Sequence, residues 1–307
     1  MAQQYQPTPA QSELILEIQD LKRQKNAILL AHNYMRPELF EAADLCGDSF
    51  DLSRRAMDTA AEIIVFAGVH FMAESAKLLN PEKKVLLPSL RAGCFMADMI
   101  TAERLAKFKE RFPAAGVCLY VNSAADVKAL ADICCTSVNA VEAVESLPHD
   151  EVIFAPDKHL AEYVASKTKK RIIPWSGFCH VHTKFSQEKI TRAKEKYPSA
   201  KIIMHPETPA EFLPYADHVC GTGGMITFAR SDSAQQYLIA TEEGMVWRLR
   251  KEVPEKEFYP LMGSCINMKQ ITLENVRDAL IQEKYEITIA PNIFGLARKS
   301  LERMMAL

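Results

Sequence analysis

The chain repeats itself three times, and the repeat constrains its fold more than any single motif. An Ala-Asp pair stands at Ala43-Asp44, Ala131-Asp132 and Ala216-Asp217, at separations of 88 and 85 residues. The stretches that begin there read ADLCGDSFDL, ADICCTSVNA and ADHVCGTGGM. Five residues after each Asp comes a small hydroxyl residue: Ser49, Ser137 or Thr222. Twelve residues before it stand His32, Tyr120 and His205, and ten before it Tyr34, Asn122 and Glu207. A cysteine follows each Asp after 50, 47 or 48 residues: Cys94, Cys179 and Cys265. One such match is chance; several registers agreeing in three places are not.

Hydrophobic patterning gives each copy the same secondary structure. A short aliphatic run, Ala27–Ala31, Val117–Val121 or Lys201–Met204, predicts a first buried strand that ends near the polar registers. A helix runs to the Ala-Asp, and another begins near the hydroxyl residue. A second strand follows at Ile63–Phe66, Val152–Phe154 and Tyr237–Ile239, then a helix and a run ending near Pro88, Pro174 and Pro260. Amphipathic helices are expected at Thr101–Arg111, Ser186–Lys196 and Thr272–Lys284, after the three cysteines. Strands alternating with helices predict an α/β fold of three pseudo-threefold-related αβα units, each with a small parallel sheet, around a central site. The units are placed at 1–95, 96–180 and 181–266. The tail 267–307, with a strand at Glu286–Ala290 and a helix at Ile293–Met305, is expected to pack back on the first unit beside a helix at Gln11–Lys25. Ligands of parallel sheets lie beyond the carboxyl ends of the strands, where the polar registers fall.

Composition excludes several classes of function. A formal charge of −2 over 307 residues leaves no electrostatic footprint for nucleic acid or an anionic membrane. The opening MAQQYQPTPAQSE has neither a basic region nor an apolar core, so no signal peptide is read there, and the apolar runs are strand-sized. A cytoplasmic location is the expectation. Eight cysteines in a reducing compartment argue against a disulfide framework.

The cysteines divide by position. Cys118, Cys134 and Cys135 read as buried small hydrophobes. Cys46, Cys135 and Cys220 stand beside the hydroxyl register, where they can line a site without binding metal. Cys94, Cys179 and Cys265 occupy equivalent loops, so a threefold arrangement brings their sulfurs toward one axis. Three thiolates suit a [4Fe-4S] cluster with one iron left open, and an open position makes a Lewis acid. Zinc, with His180 or His182 as a further ligand, is the rival, although no CxxC pair anchors such a site. The hydroxyl residues read individually as helix caps. As a trio around one axis, their helix N-termini would form a cup for carboxylates and phosphate. Gly221–Gly224 resembles a phosphate loop without its lysine. The remaining polar registers supply acid–base and hydrogen-bonding groups.

Taken together, AHNY at 31–34, GDS at 47–49, YVNS at 120–123, CTS at 135–137, SGFCHVH at 176–182, HPE at 205–207 and GSC at 263–265 resemble the quinolinate synthase family over essentially the entire chain. The third hydroxyl stands in Cys-Gly-Thr-Gly-Gly, where the family has Gly-Ser-Thr. The resemblance implies condensation of iminoaspartate with dihydroxyacetone phosphate to quinolinate, in NAD biosynthesis, on a [4Fe-4S] cluster held by Cys94, Cys179 and Cys265. It implies Tyr34, Glu207 and His182 as catalytic residues, with Tyr34 and Glu207 transferring protons and His182 orienting substrate. It further implies that His32, Ser49, Tyr120, Asn122, Ser137, His205 and Thr222 bind the substrates. Transient contact with the enzyme supplying iminoaspartate is a further expectation, with neither nucleic acid nor membrane as partner. Another [4Fe-4S] hydro-lyase and an iron–sulfur sensor are the alternative readings; a sensor would carry a partner-binding appendage, and none is visible.

Overall fold

In the computed structural model, which describes residues 4–307, twelve strands form three four-stranded parallel sheets. The first holds β1 (Ala27–His32), β2 (Leu45–Gly47), β3 (Ile63–Ala67) and β4 (Lys84–Leu86). The second holds β5 (Gly116–Tyr120), β6 (Ile133–Cys135), β7 (Glu151–Ala155) and β8 (Arg171–Pro174). The third holds β9 (Lys201–Met204), β10 (His218–Val219), β11 (Gln236–Ala240) and β12 (Glu257–Pro260). The spatial orders are β2-β1-β3-β4, β6-β5-β7-β8 and β10-β9-β11-β12, one arrangement built three times. The protein is therefore an α/β molecule of three αβα units. The central strands are apolar on both faces because helices cover both, so Ile63-Ile-Val-Phe-Ala67 is buried throughout. In each sheet the chain leaves its first strand toward one edge and returns to the other side. That topological switch opens a crevice at the carboxyl ends of β1 and β3, β5 and β7, β9 and β11.

The Ala-Asp register has a structural role. Asp44 Oδ2 accepts the Leu29 N–H at 2.7 Å, Asp132 Oδ2 that of Val117 at 2.8 Å, and Asp217 Oδ2 that of Ile202 at 2.8 Å. In return each Asp donates its own N–H to the carbonyl of the same residue, at 3.0, 3.0 and 2.9 Å. The Asp thus fixes the start of a short edge strand against its neighbour.

The helices after the cysteines span Ala102–Glu110, Gln187–Lys196 and Leu273–Gln282, each capped by the hydroxyl of Thr101, Ser186 or Thr272. The helix Pro9–Gln24 begins with a capping box from Thr8 and Gln11 and packs on Leu273–Gln282. Residues 286–290 form no strand. Glu286 makes one antiparallel bridge with Leu86, and Pro291 then opens a helix, Pro291–Met305. That helix packs against Ala125–Lys128 and β6 of the second unit as well as His70–Leu79 of the first. The first and second units consequently share one apolar core, whereas the third sheet carries a separate cluster on each face. Among the described residues no helix is long and apolar enough to cross a membrane.

Candidate active site

The carboxyl ends of the three sheets face one cavity, with about 80 Å³ open to water-sized molecules. The positions singled out in the sequence, from His32 and Tyr34 through to the three cysteines, all line it. Cys118, Cys134 and Cys135 are buried elsewhere, and Cys46 and Cys220 do not reach the lining. No lysine or arginine lines the cavity, so an anionic ligand would meet neutral donors there.

Two of those donors are built alike. His32 ends β1 and His205 follows β9, and in both the backbone N–H two residues on, from Tyr34 or Glu207, donates to the ring Nδ1 at 3.2 or 3.3 Å. That bond leaves the proton on Nε2. Burial pushes both imidazoles down to about 3, with His205 and Lys269 adding to it for His32 and His182 for His205, so both are neutral N–H donors at physiological pH. His205 Nε2 lies 3.1 Å from Ser137 Oγ, joining the third unit to the second.

The hydroxyl residues are not the caps their position suggests. Ser49 is the first residue of the helix Ser49–Asp58, and its cap is Asp48, which accepts the Phe50 and Asp51 N–H groups at 3.0 and 2.9 Å. Gly221 precedes the helix Thr222–Ser231 with no side-chain cap, and Thr222 Oγ1 accepts instead from Asn33 Nδ2 at 3.0 Å. The end of the first of these helices is therefore already met by a carboxylate, and Thr222 by the Asn33 amide.

Polar side chains from all three units line up across the site, hydrogen-bonded at every step but one. Tyr34 Oη lies 2.5 Å from Thr241 Oγ1, which lies 2.8 Å from His182 Nε2. His182 Nδ1 is 3.0 Å from Glu207 Oε2, in charge contact but outside hydrogen-bond geometry. Tyr120 Oη donates to Glu207 Oε1 at 2.5 Å. Burial alone would raise the Glu207 carboxyl, but His182, His205 and the Tyr120 hydroxyl outweigh it and keep it ionised. Burial, followed by the Glu207 charge, pushes the Tyr34 and Tyr120 phenols well above their ordinary value, so both are protonated donors.

The three cysteine sulfurs share a local geometry. Burial raises each thiol, Cys94 to about 12, while two backbone N–H groups oppose it. These come from the second and third residues onward: Met96 and Ala97, Val181 and His182, Asn267 and Met268. Three half-buried sulfurs in one cavity form a soft donor set suited to iron–sulfur ligation. Cys179, His182 and Glu207 also bring one ligand atom each within 4.8 Å and could hold a single metal ion. Thr241 engages His182 Nε2, whereas Nδ1 has no hydrogen-bond partner and faces Glu207.

Thr241, Glu242 and Asp157 escaped the sequence reading. The signal was a further register: Ala67, Ala155 and Ala240 end β3, β7 and β11, and the next two residues reach the cavity or its cysteine loops. Those residues differ between copies (Gly-Val, Pro-Asp and Thr-Glu), so residue type does not reveal them.

Comparison with known proteins agrees with this construction. The family model described as Quinolinate synthetase A protein matches residues 16–306. A quinolinate synthase of Methanoregula boonei is 48% identical over 293 residues, covering 95% of this chain and 97% of the relative. One from Caldicellulosiruptor saccharolyticus is 48% identical over 294 residues, at 95% and 97% coverage. One from Pyrococcus horikoshii is 49% identical over 297 residues, at 95% and 98%. A match of this extent, on a chain whose three units meet at one cavity, places the protein in the quinolinate synthetase A family of enzymes.

Proposed function

We propose that this enzyme is a quinolinate synthase that condenses iminoaspartate with dihydroxyacetone phosphate, losing phosphate and water, in the cytoplasmic synthesis of NAD. The observation that carries the reading is the shared cavity: the three sulfur loops and Tyr34, His182, Glu207 and Tyr120 border the same space, with Thr241 behind them joining Tyr34 to His182. Cys94, Cys179 and Cys265 are the ligands of a [4Fe-4S] cluster, which when bound supplies a Lewis acid through its iron without a protein ligand. The chain's own residues do the rest. His32 and His205 offer neutral Nε2–H donors to carboxylate or phosphate oxygens. Ser49, Ser137, Thr222 and the Asn122 amide complete the anion contacts without a buried cation. Tyr34 holds its proton at Oη and reaches His182 through Thr241, and the ionised Glu207 stands 3.0 Å from His182 Nδ1, so a proton can pass along this line once that last contact aligns. Tyr120, anchored on Glu207, closes the second-unit side over the substrate. Iminoaspartate is reactive in water, so transient contact with the enzyme that supplies it fits the reading.

The test is anaerobic purification with iron, sulfide and zinc analysis, together with an assay for quinolinate. Cys94→Ser, Cys179→Ser and Cys265→Ser are each expected to lose the cluster and the product, while Cys118→Ser keeps both. Zinc in place of iron and sulfide, or no quinolinate from the two substrates by the iron-loaded protein, would overturn the assignment.

A further inference from the structure

Each cysteine loop is clamped to its own sheet by the same backbone bond. The carbonyl two residues before the cysteine, from Ala92, Gly177 or Gly263, accepts the N–H of His70, Lys158 or Glu243, at 2.8, 2.9 and 3.3 Å. These donors lie three residues past the ends of β3, β7 and β11. One residue earlier the three copies diverge. The first unit has Val69 there, whereas the second has Asp157 and the third Glu242, with 0% and 1% of their surfaces exposed.

Both carboxylates reach the backbone of a cysteine. Asp157 Oδ2 accepts the Cys179 N–H at 3.2 Å, while Oδ1 accepts the Leu160 N–H at 2.7 Å and caps the helix Lys158–Ala165. Glu242 Oε1 accepts the Cys265 N–H at 2.8 Å, while Oε2 accepts the Gly244 N–H at 2.7 Å at the start of the helix Gly244–Glu252. Lys269 Nζ lies 3.0 Å from Glu242 Oε1 and also donates to the Tyr34 carbonyl at 2.5 Å. Each carboxylate therefore binds a helix start with one oxygen and a cysteine N–H with the other. Fixing that N–H holds the peptide plane on the cysteine's amino side and so narrows the directions open to its Cα–Cβ bond and Sγ.

We propose that Asp157 and Glu242 are positioning residues that set the sulfurs of Cys179 and Cys265 for the metal group, an aid the Cys94 loop lacks. The inference rests on the three-cysteine reading above. Outer-shell groups that orient ligands change metal retention about 10–100-fold when removed. The role requires an acceptor oxygen at the cysteine N–H. An amide can still supply one, but its NH2 then faces the N–H that the second oxygen had served.

The experiment follows iron stoichiometry after anaerobic reconstitution, and the rate at which an iron(II) chelator bleaches the cluster absorption. Asp157→Ala and Glu242→Ala are expected to lose iron about 10–100-fold faster than wild type, with Asp157→Asn and Glu242→Gln falling between. Asp132→Ala is the control, since it removes a like carboxylate–N–H bond in the second unit away from the cysteines. It should lower the urea midpoint without hastening iron loss. Far-UV circular dichroism identifies any alanine variant that fails to fold, and for such a variant the amide substitution carries the comparison. Wild-type retention in the folded variants, or iron loss from Asp132→Ala as fast as from Asp157→Ala, overturns the inference alone. Wild-type protein that takes up no iron overturns both it and the proposed function.

Discussion

His32 and His205 acquire their protonation state from one local turn combined with burial, and this has a measurable sign. An imidazole held at about 3 in the folded protein takes no proton as the pH falls from 7 to 5, whereas in the unfolded chain, near 6.5, it does. The unfolded state then binds more protons, so stability present above 6.5 is lost on acidification. Each histidine accounts for about 2 kcal/mol between pH 7 and pH 5. In urea titrations the His32→Asn variant should lose about that much less than wild type over the interval; parallel losses would contradict a neutral, buried His32. Tyr34 carries a second prediction. Tyr34→Phe removes the proton at Oη, and Thr241→Val breaks its link to His182, so both should lower kcat by about 10²–10⁴-fold while KM changes little. A loss confined to KM would make Tyr34 a binding group. At this scale the sequence was legible wherever all three copies carry a polar residue or a cysteine at one register. It was silent on Thr241, Asp157 and Glu242, because the first copy holds Gly68-Val69 there and no polar trio marks the register. Read singly, Ser49 and Thr222 suggest caps, but the cap positions belong to Asp48 and Gly221 immediately before them.

Among the elements, the Ala-Asp register made the triplication readable, and its physical reason is a sheet-edge problem. β2, β6 and β10 are only two or three residues long, too short to satisfy the start of the neighbouring strand. The Asp carboxylate takes the backbone N–H that such an edge strand leaves open. Replacing it by alanine orphans a backbone donor, at about 1–3 kcal/mol. The three copies should not respond equally. Lys22, 3% exposed, pairs with Asp44 at 2.8 Å, and no such ion pair attends Asp132 or Asp217 among the described residues. Asp44→Ala strands that buried ammonium and should cost about 3 kcal/mol, near the low end for a broken buried pair because Asp44 is partly exposed. Asp132→Ala and Asp217→Ala should cost less, and adding Lys22→Met to Asp44→Ala should recover part of the loss. Equal urea midpoints for all three would show that Lys22 is satisfied by the Ala42 carbonyl alone, which it reaches at 2.8 Å. The sequence showed where these aspartates stand but not their partners, because the bond closes over a short strand that periodicity barely registers.

For the whole molecule, equal repeats do not mean equal joints. The first and second units share an apolar core, reinforced by the helix Pro291–Met305. The third meets the first without a shared core, through edge packing of Tyr34 and Trp247 and through polar contacts: Asn33 to Thr222 at 3.0 Å and Lys251 to Glu41 at 2.8 Å. None of these side chains but Tyr34 and Thr222 falls in a repeated register, so the asymmetry is invisible in the sequence. Polar contacts open more readily than a shared core, which makes the third unit the one expected to swing when substrate enters. Gly244 is the point at which to test this. A Cβ there would stand 2.7 Å from the backbone carbon and oxygen of Tyr34, neither of which can rotate away. Gly244→Ala should act as a wedge, costing about 1–3 kcal/mol and moving Thr241 away from Tyr34 Oη. Hydrogen exchange should quicken at Tyr34, Met35 and the start of the helix Gly244–Glu252, with kcat falling in step. The amides of β3 and β7, inside the shared core, should keep their protection. A uniform rise in exchange would mean that the three units open together, and the polar joint would then have no special part in admitting substrate.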